Sequence, residues 1–516
     1  LDGSDLGQRV ISGPDAALSA RRQPMALRQR VSITVLALLA VAAAAAAPGL
    51  TWRWLTGSLW LCFLLVVGFK AMACLAPATA IAPLPNRPRR LPGYTVVVAL
   101  KDEAPVVAQL IRRLARLQYP SSRLTGFLVV EPDDKATVNE ILKQKRPAWL
   151  HMVVAPPGEP TTKPRALNVA LNLAQPGLLT VYDAEDEPHP EQLLEAAARF
   201  AAAGPELACL QAPLRIRTLG RRPTWLERQF ALEYAALFDV VLPALARLGF
   251  PLPLGGTSNH FRVDVLKAVG GWDPWNVTED ADLGFRLARN GYRIGVLSRA
   301  TRESPPPNIR SWIPQRTRWL KGFMQTLSVH LRRPQDLNWR GLASLFLTLG
   351  AAVASACLQG WVLAWLTASA LVHAFNQTLP PIAWQDSALV MIGWSVAAWT
   401  CAVGARRAEA PFRLGDVLSA PIYWSLTTLA QGQAVWRLIR QPYYWDKTPH
   451  LPDIVVGRTA RRVLRNHASL PTLPSSPIRT LGPWKFSISK TTPTSARAPS
   501  SATAPKTSRA CERPDA

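Results

Sequence analysis

Thr278-Glu279-Asp280-Ala281-Asp282 puts three carboxylates within one turn of a helix start. Thr278 is a preferred N-cap residue, and the helix dipole favours acids in the first turn. Leu283 and Leu287 fall on one face, and Asn290-Gly291 is a stop signal. The stretch reads either as a helix aiming carboxylates into a cleft or as a well-capped acidic helix start. A second acidic set, Tyr182-Asp183-Ala184-Glu185-Asp186, ends an apolar run. Its oxygen-only donors suit Mg²⁺ or Mn²⁺, with a solvated acidic turn as the alternative. A third set, Gln315-Arg316-Thr317-Arg318-Trp319, places positions 315, 318 and 319 on one helical face. Its guanidinium could grip phosphate oxygens in a planar fork, and its indole offers a flat apolar surface. The same pattern would also make an interfacial helix with snorkelling arginines.

Such groups need a frame that holds them together. Tyr94–Leu100 is a β-branched run and predicts a buried strand. Ala104–Leu117 has helical spacing, with Val107, Leu110, Ile111 and Leu114 on one face. Leu124–Val130 reads as a second strand ending in Glu131-Pro132-Asp133-Asp134, with a helix from Lys135. Trp149–Ala155 is a third strand, Pro164–Asn168 opens a helix, and Leu178–Tyr182 is a fourth strand ending in the Asp183 cluster. Alternating strands and helices, with polar groups at the strands' C-terminal ends, predict an open parallel sheet whose ligand site lies at that edge. Leu254–Arg262 reads as a small-residue loop between helical stretches, with Gly255-Gly256 permitting close backbone approach.

The chain has 516 residues, with 59 Lys and Arg against 34 Asp and Glu, a net charge of +25. No nucleic-acid module accompanies that excess, which sits beside apolar stretches as expected near an anionic inner leaflet. The six cysteines include no close pair, so neither a disulfide framework nor a zinc site is indicated. Residues 1–30 read as a basic, disordered N-terminus; the first residue is Leu, so the true start is open. Residues 31–78 hold two spans, Val31–Leu50 and Leu55–Ala76. The alanine run before Pro48 imitates a secretory signal, but the second apolar stretch follows at once. Arg87, Arg89 and Arg90 mark the cytoplasmic side, and Pro83–Pro92 is a linker into a soluble domain over 93–340. The region 342–438 holds apolar stretches at Leu342–Ala370, Ala388–Val403 and Val417–Leu438. Gln431, Gln433 and Arg437 set the third apart, as an interfacial or a third hydrophobic helix beside at least two spans. Residues 439–516 read as a cytoplasmic loop and a basic, Ser/Thr/Pro-rich disordered tail.

The Asp183 cluster, the acidic helix at Asp280 and the Gln-x-x-Arg-Trp helix, in that order before membrane spans, resemble the processive family 2 glycosyltransferases. Bacterial cellulose synthase catalytic subunits and related membrane glucan and polysaccharide synthases belong there. The resemblance covers Tyr94 to His450, with Gly271-Trp272-Asp273 as the usual connector and Tyr443–His450 similar to a Trp-x-Lys-Thr-x-His segment. It implies an α/β GT-A-like nucleotide-sugar-binding domain inserted between N-terminal and C-terminal transmembrane helices. It further implies an inverting hexosyltransferase that uses a nucleotide sugar, UDP-glucose first among donors. The product would be a growing β-linked polysaccharide at a bacterial inner membrane, with the domain cytoplasmic. Partners are then the donor, a polysaccharide acceptor and membrane lipid, and no nucleic acid.

By the same resemblance, Asp280 is the general base, flanked by Glu279 and Thr278. Asp183 holds Mg²⁺ or Mn²⁺ with Glu185 and Asp186; the family pattern is Asp-x-Asp, so which neighbour reaches the metal stays open. Glu103, Asp134, Lys163, Asp183 and Arg318 bind the donor. Gln315, Trp319 and His260 bind the acceptor. A non-processive transferase with a lipid-linked acceptor is the alternative enzyme. An inactive membrane scaffold or adsorption protein is the alternative class, and intact Asp183, Asp280 and Arg318 argue against it.

Overall fold

The first two helices are apolar, α1 (Leu27–Ala46) and α2 (Pro48–Leu75), separated by Ala47 alone. Proline at the first position of α2 costs nothing, since that N–H would have no helical partner. The computed structural model describes residues 13–21, 26–79, 91–217, 222–376, 384–445 and 452–453. The Pro83–Pro92 linker, the Asp446–His450 motif residues and the tail therefore lie almost wholly outside the described residues.

The next elements are β1 (Tyr94–Leu100), α3 (Val107–Leu114), β2 (Leu124–Val130), α4 (Lys135–Lys143), β3 (Leu150–Val154), α5 (Lys163–Leu173) and β4 (Leu178–Tyr182). They pair in the order β3-β2-β1-β4, all parallel. Side chains alternate faces along a strand. On β1, Val97 enters a core with Leu167 and Leu171 of α5, while Val96 and Val98 meet Leu110 and Ile111 of α3. Burial on both faces is what a near-continuous apolar run requires.

The chain then builds β5 (Glu187–Pro188), α6 (Gln192–Ala202), β6 (Leu207–Gln211), β7 (Leu214–Ile216), α7 (Trp225–Ala236), α8 (Leu242–Arg247), β8 (Asn259–Arg262), α9 (Val263–Ala268), α10 (Glu279–Arg289), β9 (Arg293–Val296) and β10 (Thr301–Glu303). β8 inserts antiparallel between β4 and β6, and β9 closes the seven-stranded sheet, which is mixed and not wholly parallel as expected. A small second sheet, β5-β10-β7, lies beyond the Asp183 turn.

The last helices are α11 (Ile309–His330), α12 (Trp339–Leu345), α13 (Ala351–Asn376), α14 (Trp384–Ala408) and α15 (Leu414–Arg440). Among the described residues, five helical stretches are long and apolar enough to cross a membrane. Four are α1, α2, Trp339–Phe375 and α14; the fifth, Trp225–Arg247, is mostly buried within the domain. α15 is not among them, in keeping with its glutamines: Thr317 of α11 donates to Gln433 at 3.2 Å. Where α14 crosses α2, a Cβ on Gly393 would come within 2.3 Å of the tip of the Phe63 ring, so a larger residue there would push that ring aside.

Residues 13–21 are not the loose segment expected from the sequence. Asp273, fully buried in the connector before α10, accepts from the Ser19 hydroxyl at 3.0 Å and the Ala20 N–H at 2.6 Å. Arg332 donates to the carbonyls of Ala17 and Ser19, and the Tyr443 hydroxyl donates to those of Ala20 and Arg21. A buried carboxylate needs such donors, and no composition rule reveals that a distant segment supplies them.

Candidate active site

The C-terminal ends of β1, β2 and β4 deliver Lys101–Glu103, Glu131 and Asp183–Glu185 to one cavity. The start of α10 supplies Thr278–Asp280 from across it, and α11 supplies Gln315, Arg316, Arg318 and Trp319. The cavity, about 1840 Å³, continues past these groups between the apolar helices α2, α13 and α14.

Gly256 marks where the charged groups meet. A Cβ there would lie 3.3 Å from Asp280 Oδ2, 3.7 Å from Lys163 Nζ and 4.0 Å from Asp183 Oδ2. Lys163, at the first position of α5, donates to Asp183 Oδ1 and to the Gly256 carbonyl, the latter at 2.7 Å. Against its own burial, the charges of Asp183 and Glu279 keep this ammonium above the ordinary lysine range. Burial lifts the Asp280 carboxyl to about 6, while the Ala281 N–H, Lys163 and Arg318 pull it down. Burial and the adjacent Asp280 charge raise Glu279 further. Burial thus raises both neighbouring carboxyls, with Asp280 the less raised of the two, and the pair titrates as a unit.

α11 fixes this geometry. A Cβ on Gly322 would fall 2.4 Å from Thr278, so the helix rests directly on the start of α10. Arg318 lies one turn earlier, which brings it to the same side as Asp280. Gln325 accepts the Val277 N–H at 3.2 Å, and Asn276 donates to Thr326 at 3.0 Å. Thr278 occupies the N-cap position but makes no cap hydrogen bond; its N–H and hydroxyl turn to Asn276, and its side chain packs on Gly322. Asp282 points away from the cavity into a buried cluster, bonded to Arg286 at 2.6 Å and His330 at 3.1 Å.

Other candidate residues are distributed unevenly. Glu103 lines the cavity. Asp134 does not; it caps α4 through the Thr137 N–H at 3.1 Å and accepts the Asp102 N–H at 2.5 Å, so it shapes the loop that the cavity uses. Glu131 is the residue of that acidic stretch that reaches the cavity, paired with Arg165 at 3.4 Å. His260 is withdrawn altogether. As a strand residue of β8 it is fully buried, with its ring nitrogens at 2.6 Å from the Tyr94 hydroxyl and 3.1 Å from Gln192. Burial lowers its pKa to about 3. It is a sheet residue and not an acceptor contact.

Trp319 lines the cavity while its ring packs near Phe230 and Tyr234. The Arg316 guanidinium lies 4.5 Å over that ring and makes two 2.5 Å bonds to Glu233. Arg318 stacks over Trp445 at 4.8 Å. Arg316, Glu233 and Tyr423 form a polar unit, with Arg316 and Tyr423 buried and Glu233 half-buried, that sequence patterning did not single out, because its members are far apart in the chain.

Of the three carboxylates expected to hold a cation, Asp183 and Glu185 line the cavity and Asp186 does not. Asp186 folds back to accept the Asp183 N–H at 2.7 Å and the Thr257 hydroxyl, and its second oxygen is buried with no hydrogen-bond partner. Glu303 on β10, missed in the sequence, joins this group at the cavity wall. Burial and then the charges of Asp186, Glu185 and Asp183 push its carboxyl well above the ordinary range. Among the described residues no three His, Cys, Asp or Glu side chains form a metal cage. Mg²⁺-type sites on phosphate substrates, however, take only one or two protein carboxylates and complete the shell from phosphates and water. Asp183, with Glu185 beside it at the cavity wall, fits that smaller role.

Residues 178–402 match the family model described as glycosyl transferase family group 2. This chain carries a family 2 glycosyltransferase domain. The chain is 25% identical over 238 residues to the probable glycosyltransferase YdaM of Bacillus subtilis (strain 168), covering 45% of this chain and 56% of that one. It is 28% identical over 264 residues to the beta-monoglucosyldiacylglycerol synthase of Synechocystis, covering 49% and 53%. It is 25% identical over 244 residues to the probable glucomannan 4-beta-mannosyltransferase 1 of Arabidopsis thaliana, covering 46% and 43%. The chain thus spans about half the length of the curated relatives it matches. The mannosyltransferase PcManGT from Pyrobaculum calidifontis, solved in complex with GDP-Man and Mn²⁺, superposes with a TM-score of 0.50 at 18% identity over 75% of this chain and 96% of that one. That likeness establishes the GT-A-like fold of the family 2 domain.

Proposed function

We propose that this family 2 glycosyltransferase domain makes the chain an inverting hexosyltransferase that moves a sugar from a nucleotide-sugar donor to a hydroxyl of a membrane lipid. The observation that carries the reading is the single cavity running from Asp280 and Lys163 to the apolar helices. In this mechanism Asp280 takes the acceptor's proton as its oxygen attacks the anomeric carbon from the side opposite the diphosphate. Lys163 and Arg318 balance charge as the diphosphate leaves. Asp183 and Glu185 would hold a divalent cation, which supplies further charge neutralisation at the diphosphate when bound. Burial raises the Glu279 carboxyl beside Asp280, which disfavours two full negative charges side by side at the base.

A lipid acceptor is favoured over a growing polysaccharide by what lines the far part of the cavity. Phe63, Val66, Val362, Leu366, Leu389 and Trp394 stand there. Sugar hydroxyls buried among such groups would lose hydrogen bonds to water, at roughly 1–3 kcal/mol each on mutational evidence. A hydrocarbon chain loses nothing. Relatives on each side exist, a lipid glucosyltransferase and a glucomannan mannosyltransferase by name. We further propose a bacterial inner membrane with the domain cytoplasmic, and UDP-glucose as the donor to test first.

The test is a donor-by-acceptor matrix with the purified full chain in lipid bilayers. Each common nucleotide sugar is combined with bilayers of defined lipid, with Mg²⁺ or Mn²⁺ or with excess chelator, and released nucleoside diphosphate and labelled product are measured. Glycolipid formation that stops in chelator is expected. Formation of a polymer insoluble in organic solvent, with no glycolipid, would overturn the lipid reading.

A further inference from the structure

Lys70 lies inside this cavity, on a helix that is otherwise apolar around it. On α2 the cavity is lined by Leu59, Trp60, Phe63, Val66, Val67 and Lys70. Their spacing is that of one helical face. At 1.5 Å per residue, Leu59 to Lys70 is about 16 Å, close to the ~15 Å hydrocarbon depth of one leaflet. The lysine stands at the end nearest the catalytic domain, where Ala73 and Cys74 pack against Val240 and Ala244. The stripe is therefore one leaflet long, apolar along its length and cationic at the domain end.

Among the described residues the Lys70 ammonium has no hydrogen-bond or ion-pair partner. Glu233 is the carboxylate whose charge reaches it, but both its oxygens are already taken by Arg316 at 2.5 Å, and one also accepts the Tyr423 hydroxyl at 2.7 Å. An ammonium at membrane depth is costly unless something anionic pairs with it, and such residues mark ligand pathways more often than packing. The cavity also exceeds the ~300–1,000 Å³ of ordinary small-molecule sites, so a donor leaves room for a second occupant.

We infer that the cavity holds a phosphate-bearing lipid, its phosphate on Lys70 and its acyl or prenyl chain along the α2 stripe. This deepens the lipid-acceptor reading and rests on it: the acceptor is a lipid whose head carries a phosphodiester before the attacking hydroxyl. A neutral diacylglycerol fills the stripe but leaves Lys70 unpaired, and a polysaccharide satisfies neither. Covalently nothing new is asked of the site, since the phosphodiester is neither made nor broken.

The test compares wild type, Lys70→Met and Lys70→Arg, each as the full chain in phosphatidylcholine bilayers doped with phosphatidylglycerol or with diacylglycerol. Lipid retention is read by native mass spectrometry after mild delipidation, and product by labelled sugar transfer. Wild type should retain phosphatidylglycerol at least about fivefold better than Lys70→Met, the scale of one lysine at an anionic surface. Lys70→Arg should restore retention, and Lys70→Met should melt no lower than wild type because no protein partner is lost. Equal retention by all three, or a lower melting temperature for Lys70→Met reversed by Arg, would overturn the inference and make Lys70 a structural counter-charge to Glu233. Retention does not depend on turnover. A wild-type protein that binds the phospholipid but transfers no sugar would instead refute the transferase reading, and a preference for diacylglycerol in both retention and transfer would refute only the phosphate.

Discussion

Gly256→Ala tests whether the convergence of Asp280, Lys163 and Asp183 is where the reaction happens. The new methyl would stand 3.3 Å from Asp280 Oδ2, 3.7 Å from Lys163 Nζ and 4.0 Å from Asp183 Oδ2. Ordinary contacts between heavy atoms lie near 3.5–4.0 Å, so the Asp280 oxygen must retreat by a few tenths of an ångström. The methyl also occupies the space between base and diphosphate site. A 1 Å misplacement of reacting groups can cost about 10²-fold, so a smaller shift plus lost space predicts a ten- to hundredfold fall in kcat/KM, about 1.4–2.7 kcal/mol of barrier. Folding should be unharmed, because the backbone at Gly256 is not in the left-handed region and Gly→Ala reduces unfolded-state entropy. Gly255→Ala is the control. Its methyl would meet Phe238 at 3.0 Å and Leu214 at 3.1 Å, so it should lower the melting temperature first. The assay is nucleoside diphosphate release with a melting curve for both variants. Unchanged kcat/KM for Gly256→Ala, with Gly255→Ala destabilised as expected, would place the chemistry elsewhere in the cavity.

Asp280→Asn should keep donor affinity and folding while slowing transfer by about 10²–10⁴-fold, whereas Asp183→Asn should weaken donor binding first; titrating donor against both variants beside the transfer rate distinguishes them. Because burial raises Asp280 to about 6, the base is lost as pH falls through that value, so kcat should fall tenfold per unit below pH 6 and not below pH 4. Lys163 holds that pKa down, so in Lys163→Met the acid limb of a pH–rate profile should move to higher pH; a limb that stays put removes Lys163 from the base's surroundings. Arg318→Lys should reduce kcat/KM severalfold despite its retained charge, since an ammonium replaces neither the planar fork nor the stacking on Trp445; equal kinetics would return Arg318 to a surface role.

The strands β1, β2 and β4 were legible to the residue because each is a buried apolar run with a turn signal at its end. β8 was not. Asn259-His260-Phe261-Arg262 has no β-branched residue and follows two glycines, so it reads as loop. What makes it a strand is its place between β4 and β6, two partners about 80 and 50 residues away, and local propensity carries no trace of that pairing. The same blindness misplaced His260, since alternation on an unrecognised strand decides which side chains face the cavity. The acids at strand ends were found, but not which of them turn inward. Asp186 and Asp134 have the same chemistry as Asp183 and Glu131, and hydrogen bonds from Thr257 and Asp183 to the one, and from Thr137 and Asp102 to the other, separate bracing residues from lining ones.

Ser19 and Asp273 are separated by 254 residues, yet they share a buried hydrogen bond. This contact has a consequence for the order of assembly and for dissecting the protein. The segment that precedes α1 is made long before the connector in front of α10 that it binds. Its last support, Tyr443, follows α15. The loop that positions the proposed base is thus finished only when both ends of the membrane region are in place. An excised 93–340 domain would leave the Asp273 carboxylate without its Ser19 and Ala20 donors and Arg332 without two carbonyls. Soluble expression of that piece would report on a site whose acidic loop has lost its outer wall.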